Sequence, residues 1–140
     1  MKPLSLTLKN FGPYINETID FTKFEDSSLF LISGKTGSGK TTIFDGMSYA
    51  LFGESSGKLR LGKEMRSTFA DPSEATEVTL LFKHNEFLYE LNRLPEQELF
   101  KKRGTGVRKQ SAKISLIVKD AQGKELRAYS KTVSYTHLRA

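Results

Sequence analysis

The chain has 140 residues, no cysteine, 37% hydrophobic residues, 10 Phe and 5 Tyr. That suffices for one domain with a modest core, and it excludes disulfides, thiol nucleophiles and cysteine-ligated zinc. Lys and Arg outnumber Asp and Glu by 22 to 16, and the net charge of +6 suits an anionic partner without choosing among nucleic acid, nucleotide and acidic protein. The longest wholly apolar run, residues 29–32, is far short of the ~20 residues that span a bilayer. The N-terminus alternates apolar and polar residues and does not read as a signal peptide. The expectation is a cytoplasmic protein with no membrane partner.

Leu4, Leu6 and Leu8 alternate with Ser5, Thr7 and Lys9, the period of a half-buried strand. Asn10-Phe11-Gly12-Pro13 supplies turn chemistry, and residues 18–21 read as a second strand with Ile19 and Phe21 on one face. After a turn at 26–28, residues 29–32 predict a strand buried on both faces. A Gly/Ser/Thr/Lys loop follows at 33–40. From Thr41 the period is helical, with Phe44, Met47, Ser48 and Leu51 on a stripe that Ile43 and Ala50 widen, and Gly53 as C-cap. Residues 54–76 read as loop. Residues 77–83 and 86–94 predict a hairpin turning at His84-Asn85. Residues 95–110 form a polar, basic excursion. Residues 113–120 predict a strand with Ile114, Leu116 and Val118 on one face, then a turn at 120–123 and a return strand at 125–130.

Gly34-Lys35-Thr36-Gly37-Ser38-Gly39-Lys40-Thr41 satisfies G-x-x-x-x-G-K-[ST]. The glycines permit a loop whose successive N–H groups turn inward around phosphates. Lys40 carries a point charge that can reach the β- and γ-phosphates, and the Thr41 hydroxyl suits Mg²⁺, a hard ion that prefers oxygen. The helix beyond aims its positive end at the anion. A chance match in a flexible loop is the competing reading, but the predicted strand before and helix after supply the context the motif needs.

Hydrolysis also needs a carboxylate ending a later apolar strand. Asp120 comes closest, but Lys119 interrupts the run, and Asp120 reads as a turn residue. The chain thus carries no complete catalytic site of its own. The segment 101–109 holds Lys101, Lys102, Arg103, Arg108 and Lys109, five positive charges and no acid, with Lys113 beyond. It reads either as a flexible arm on DNA phosphates or as a solvated hairpin loop. No aromatic lies within it, so base stacking there is not expected. His84 and His137 lack the neighbours of a metal site.

Several segments resemble the SbcC family of SMC-like, ABC-type ATPases. These are Lys2-Pro3-Leu4, Phe11-Gly12-Pro13-Tyr14, Asp20-Phe21, the stretch 29–52 with Asp45 inside the helix, and Leu51-Phe52-Gly53-Glu54. Further on come Met65-Arg66-Ser67, Phe69-Ala70-Asp71-Pro72, Thr76-Glu77-Val78, Pro95-Glu96-Gln97 and Lys101-Lys102-Arg103-Gly104. The resemblance implies an α/β fold: the N-terminal lobe of an ABC-type P-loop ATPase head, a mixed β-sheet with an antiparallel β-subdomain and one P-loop helix, over residues 1–133. It implies that Gly34, Lys35, Thr36, Gly37, Ser38, Gly39, Lys40, Thr41 and Thr42 bind ATP, with Mg²⁺ on Thr41. The implied partners are the SbcD nuclease subunit, a second SbcC head and double-stranded DNA. In such a complex, ATP binding and hydrolysis gate the exonuclease and hairpin endonuclease activity of the partner. Thr36 stands where many SMC-like relatives have Asn, and Gly12-Pro13 where archaeal and eukaryotic relatives carry an Arg, which favours the bacterial branch. Phe11 and Tyr14 are candidates for adenine contact and also read as packing residues.

The family's coiled coil, second lobe, signature motif and γ-phosphate-sensing Gln are not recognisable. Gln97, Gln110 and Gln122 stand in the wrong contexts for that Gln, and no heptads occur. The chain is therefore expected to be a fragment, inactive alone as an ATPase. Residues 134–140 show no helical period and are expected to be a non-native tail. A RecF- or SMC-type ATPase is the alternative within this class. A small-molecule kinase is disfavoured by the β-hairpins after the helix.

Overall fold

The computed structural model describes residues 1–12, 14–22, 38–53 and 73–133, with the backbone alone for 38–42 and 133. The predicted strand at 29–32, the glycines 34 and 37, the loop 54–72 and the tail 134–140 lie outside the described residues.

β1 (Lys2–Phe11) and β2 (Tyr14–Asp20) form an antiparallel pair. The turn between them includes Gly12 at φ 57°, a left-handed conformation that glycine adopts without cost. Pro3 lies beyond the reach of β2, whose pairing ends at Ser5, and the β1 register shifts between Pro3 and Ser5. Proline is tolerated at such a strand end beside a bulge. α1 (Ser38–Phe52) begins three residues earlier than the periodicity predicts and ends where expected. Gly53 takes φ 81°, and its N–H donates to the Tyr49 carbonyl at 2.8 Å, closing the helix as a C-cap.

β3 (Glu77–His84) and β4 (Phe87–Leu94) form the predicted hairpin, shifted by one residue. His84 pairs with Phe87, so the turn is Asn85-Glu86, with Asn85 at φ 57°. The basic excursion is more ordered than the sequence suggests. It contains a two-stranded ribbon, β5 (Gln97–Phe100) and β6 (Val107–Gln110). β7 (Ala112–Lys119) and β8 (Glu125–Val133) then complete a six-stranded sheet in the order β2-β1-β3-β4-β7-β8. Every pairing among the described strands is antiparallel. The parallel component of the expected mixed sheet, like the expectation of a single helix, depends on residues outside this set.

Two adjacent cross-strand rows show why this sequence makes this sheet. Ile19, Leu6, Leu80, Leu91, Leu116 and Tyr129 stand in register across all six strands. One residue along, on the opposite face, stand Thr18, Thr7, Thr79, Asn92, Ser115 and Ser130. The period of two puts the first row on the apolar face and the second on the polar face. Leu6, Leu80 and Leu91 lie in the core with Ile19 and Leu116 packed against them, while Tyr129 on the edge strand β8 is exposed. On the polar face, Asn92 donates from Nδ2 to Thr79 Oγ1 at 2.9 Å and to Glu77 Oε1 at 2.6 Å. Leu6, Leu8, Val78 and Leu80 are fully buried, each burial worth roughly 1.5–3 kcal/mol.

α1 covers the inner strands of the apolar face. Its fully buried residues are Asp45, Gly46, Tyr49 and Ala50. Of the predicted stripe, Ala50 is buried and Ile43, Met47 and Leu51 pack against the core half-buried, so the buried face is rotated relative to the expected one. Gly46 explains the rotation. A Cβ there would lie 2.6 Å from Leu8 Cδ2, so the missing side chain lets the helix sit directly on β1. Among the described residues no helix is long and apolar enough to cross a membrane.

Candidate functional site

The first turn of α1 is built from Ser38, Gly39, Lys40 and Thr41, the second half of the phosphate-loop pattern. The first four N–H groups of a helix have no partner within it, and the macrodipole adds positive potential at that end. No acidic residue stands in this turn, so no carboxylate of the helix itself competes for those donors. A phosphate is the ligand such an end accepts. The side chains of Lys40, Thr41 and Thr42, and the whole of Gly34, Lys35, Thr36 and Gly37, lie outside the described residues. The hydroxyl oxygen of Thr41 is, by chemistry, a donor that Mg²⁺ accepts.

The other half of α1 fixes the direction of this end. Tyr49 packs on Phe11, with ring centroids 6.5 Å apart and planes tilted by 33°. The Arg93 guanidinium of β4 lies over the Tyr49 ring at 5.8 Å and donates from Nε to the Ala50 carbonyl at 3.2 Å. That bond satisfies a carbonyl of the last helical turn and places a cation at the negative end of the helix. With Gly46 against Leu8, the helix is held along its length, and its N-terminal turn points where the sheet directs it. Phe11 is fully buried and Tyr14 packs against the same core, so both are packing residues.

A buried polar knot lies where β1 ends and β3 begins. The Thr76 N–H donates to Gln97 Oε1 at 2.9 Å, and Gln97 Nε2 donates to the carbonyls of Thr76 at 3.1 Å and Pro95 at 3.3 Å. The Thr76 hydroxyl donates to the Asn10 carbonyl at 2.8 Å, and Asn10 Nδ2 to the Ala75 carbonyl at 2.9 Å. Gln97 is thus a structural residue, in keeping with its exclusion as a γ-phosphate sensor. Isolated polar residues carry no period, so the sequence did not expose this knot. Asp120 is the turn residue it was expected to be. Its Oδ1 accepts from the N–H groups of Gln122 and Lys124, both at 2.9 Å. His84 is exposed at the end of β3. Among the described residues no cluster of three potential metal ligands occurs.

The basic segment is the turn and second strand of the β5–β6 ribbon, a hairpin instead of a flexible arm. The Lys101 N–H donates to the Gly106 carbonyl at 3.0 Å, while Gly104 and Gly106 take φ 81° and 103°. A Cβ at either glycine would meet nothing within 4 Å, so the tip stands clear of the body. The five cations are not equivalent. Lys102 Nζ lies 3.2 Å from Glu74 and Lys109 Nζ 2.8 Å from Glu96. The Glu96 hydrogen bond and charge raise the Lys109 pKa above its ordinary value. Lys101, Arg103 and Arg108 make no ion pair among the described residues, and they carry the unneutralised charge of the ribbon, Lys101 and Arg103 at its tip.

Comparison with known proteins agrees with this arrangement. The family described as AAA domain matches residues 5–137. The C subunit of the SbcCD nuclease of Lactococcus lactis subsp. lactis (strain IL1403) is 50% identical over 119 residues, 84% of this chain and 11% of that protein. Its counterpart in Vibrio cholerae serotype O1 is 46% identical over 127 residues, 90% of this chain and 12% of that protein. In Staphylococcus aureus (strain JH9) the identity is 54% over 93 residues, 66% of this chain and 9% of the relative. The chain thus spans about a tenth of the length of these relatives. The match covers the strands, the helix and the basic ribbon alike, and the chain belongs to the AAA domain family, with SbcCD C subunits as close relatives.

Proposed function

We propose that this chain is the ATP-binding N-terminal lobe, residues 1–133, of an SbcC-type ATPase subunit. The observation that carries the reading is the complete phosphate-loop pattern running into the acid-free first turn of a helix that Gly46, Tyr49 and Ala50 fix to the sheet. Gly34, Lys35, Thr36, Gly37, Ser38, Gly39, Lys40, Thr41 and Thr42 hold ATP through backbone N–H groups and the Lys40 ammonium, with Thr41 as a Mg²⁺ ligand. Bound ATP supplies the γ-phosphate whose hydrolysis resets the head. The water-polarising carboxylate and the signature motif belong to a second lobe and a second head. A partner SbcD nuclease subunit and double-stranded DNA complete the assembly in the cytoplasm. The relatives favour this over a RecF- or SMC-type ATPase.

The test is cleavage of end-labelled duplex DNA by the full-length protein with its nuclease partner. Cleavage should require ATP, and a non-hydrolysable analogue should arrest it. Equal cleavage with and without nucleotide would refute the gating role.

The β5–β6 tip supplies sequence-independent DNA affinity in this reading, with Lys101, Lys102, Arg103, Arg108 and Lys109 as its cations. Each phosphate contact adds ~0.9 to the slope of log affinity against log salt. Replacing Lys101 and Arg103 with Ala should lower duplex affinity on unrelated sequences alike and flatten the slope by about two. The pair Lys102→Ala and Lys109→Ala should do less, because Glu74 and Glu96 already share those charges. Salt titrations of both double variants measure the difference, and equal effects would show that the ion pairs do not hold these lysines back.

A further inference from the structure

Directly below the cationic turn, Phe100 closes β5 and Val107 opens β6, and the two are cross-strand partners. Both are exposed, Phe100 by 57% and Val107 by 48%. Partners directly opposite project to the same face, so they form one small apolar step on the ribbon. The next residue inward behaves oppositely: Leu99 is fully buried and anchors the ribbon to the body. The exposed pair is therefore not a remnant of core packing. It sits next to Lys101 and Arg103, which with Arg108 are the three cations of the tip without an ion pair among the described residues, and the open space around Gly104 and Gly106 leaves the turn accessible.

An aromatic ring and a branched aliphatic beside free cations fit one kind of partner best. A polyanion with apolar faces would meet charge with charge and ring with base. Within an intact duplex those faces are stacked and hidden, but at a frayed end or a fork they are open. We propose that the β5–β6 tip is a base-contacting wedge: Phe100, backed by Val107, stacks on an unpaired or frayed base while Lys101 and Arg103 hold the flanking phosphates. The inference rests on the DNA contact proposed above and gives that contact a preference for opened DNA over duplex interior.

Fluorescence anisotropy with the full-length protein tests it on a forked oligonucleotide and a covalently closed duplex circle. Stacking on one base is worth enough for Phe100→Ala to weaken binding to the fork about tenfold. Affinity for the closed circle and its salt slope should stay unchanged. Phe100→Trp should restore fork affinity, and forked DNA should quench the added indole fluorescence. Fork affinity equal to wild type in Phe100→Ala, or equal losses on fork and circle, would overturn the wedge. So would loss of the nuclease partner with DNA affinity intact, which would assign the apolar pair to a protein contact. The Lys101→Ala and Arg103→Ala double variant separates the two levels. If it binds both DNAs as wild type, the DNA contact itself fails; if it loses both while Phe100→Ala loses neither, only the wedge fails.

Discussion

Lys40→Ala in the full-length protein is expected to abolish ATP binding at micromolar nucleotide. The motif places this ammonium at the β- and γ-phosphates, where charge concentrates. A charge-assisted hydrogen bond contributes about 1.5–3 kcal/mol, and the loss of one with its full positive charge amounts to ~100-fold in affinity. The residual site keeps its backbone donors and the helix end, so weak binding can persist at millimolar ATP. Lys40→Arg should not rescue, because a planar guanidinium does not reproduce a compact point charge inside a tight loop. Equilibrium titration with a fluorescent ATP analogue gives the affinity. An unchanged dissociation constant would remove the phosphate loop from the proposed function, and DNA cleavage should then be equally indifferent to the substitution.

The largest effect on the fold is expected at Gln97, whose structural role no hydrophobic period marks. Gln97→Leu leaves the buried Thr76 N–H without its acceptor and takes the donor from the Thr76 and Pro95 carbonyls. Buried polar groups stripped of partners cost about 1–3 kcal/mol each, so a total of about 3 kcal/mol is expected. That is a large share of the stability of an ordinary domain. Gln110→Leu is the matched control. Gln110 stands opposite Gln97 in the ribbon, but its bonds to Arg108 and Ser111 are at the surface. Hydrogen exchange resolves the two: protection of the Thr76 amide should fall roughly a hundredfold or more in Gln97→Leu and hardly at all in Gln110→Leu. Equal protection in both variants would mean that the knot adds nothing to stability.

These two sites differ in how far the sequence exposes them. Lys40 belongs to a pattern whose spacing is set by the size of a phosphate, so its place is visible without a structure. Gln97 acts through a bond to a residue 21 positions away, and only the sheet brings them together. The same contrast runs through the fold. Strands with one buried face announce themselves by alternation, as at Leu6 and Leu8 or at Ile114, Leu116 and Val118. The β5–β6 ribbon does not, because its strands have four residues each and bury few apolar side chains, while Phe100 points outward. The buried face of α1 is legible only in part: Ala50, Ile43, Met47 and Leu51 lie on the core side as expected, but its centre is Gly46, a position with no side chain and no apolar signal. The turn at Asn85-Glu86 was offset by one because His84, a polar residue, still takes part in the ladder. For the candidate site, the motif alone names the residues proposed for the phosphate cradle, and of these the described backbone places Ser38, Gly39, Lys40 and Thr41 in the first turn of α1. The unequal availability of the five tip cations depends on Glu74 and Glu96, which lie outside the basic run, and is a matter of tertiary geometry.

The order of strands has a consequence for how the chain reaches this fold. β1 with β2, β3 with β4, and β7 with β8 are local hairpins that close across short turns. The β1–β3 seam is different, since its first register pair toward the loop joins Lys9 to Glu77. Everything between, including the phosphate-loop motif and α1, is held in the loop that this seam closes. Loop-closure entropy grows with loop length, and long-range pairings slow folding. The seam is therefore the costly junction, and the segment that would grip a nucleotide is the one whose freedom it removes. A ligand that binds only the closed form stabilises that form by mass action. In a newly made chain, nucleotide in the surrounding solution would act on the same junction that completes the sheet.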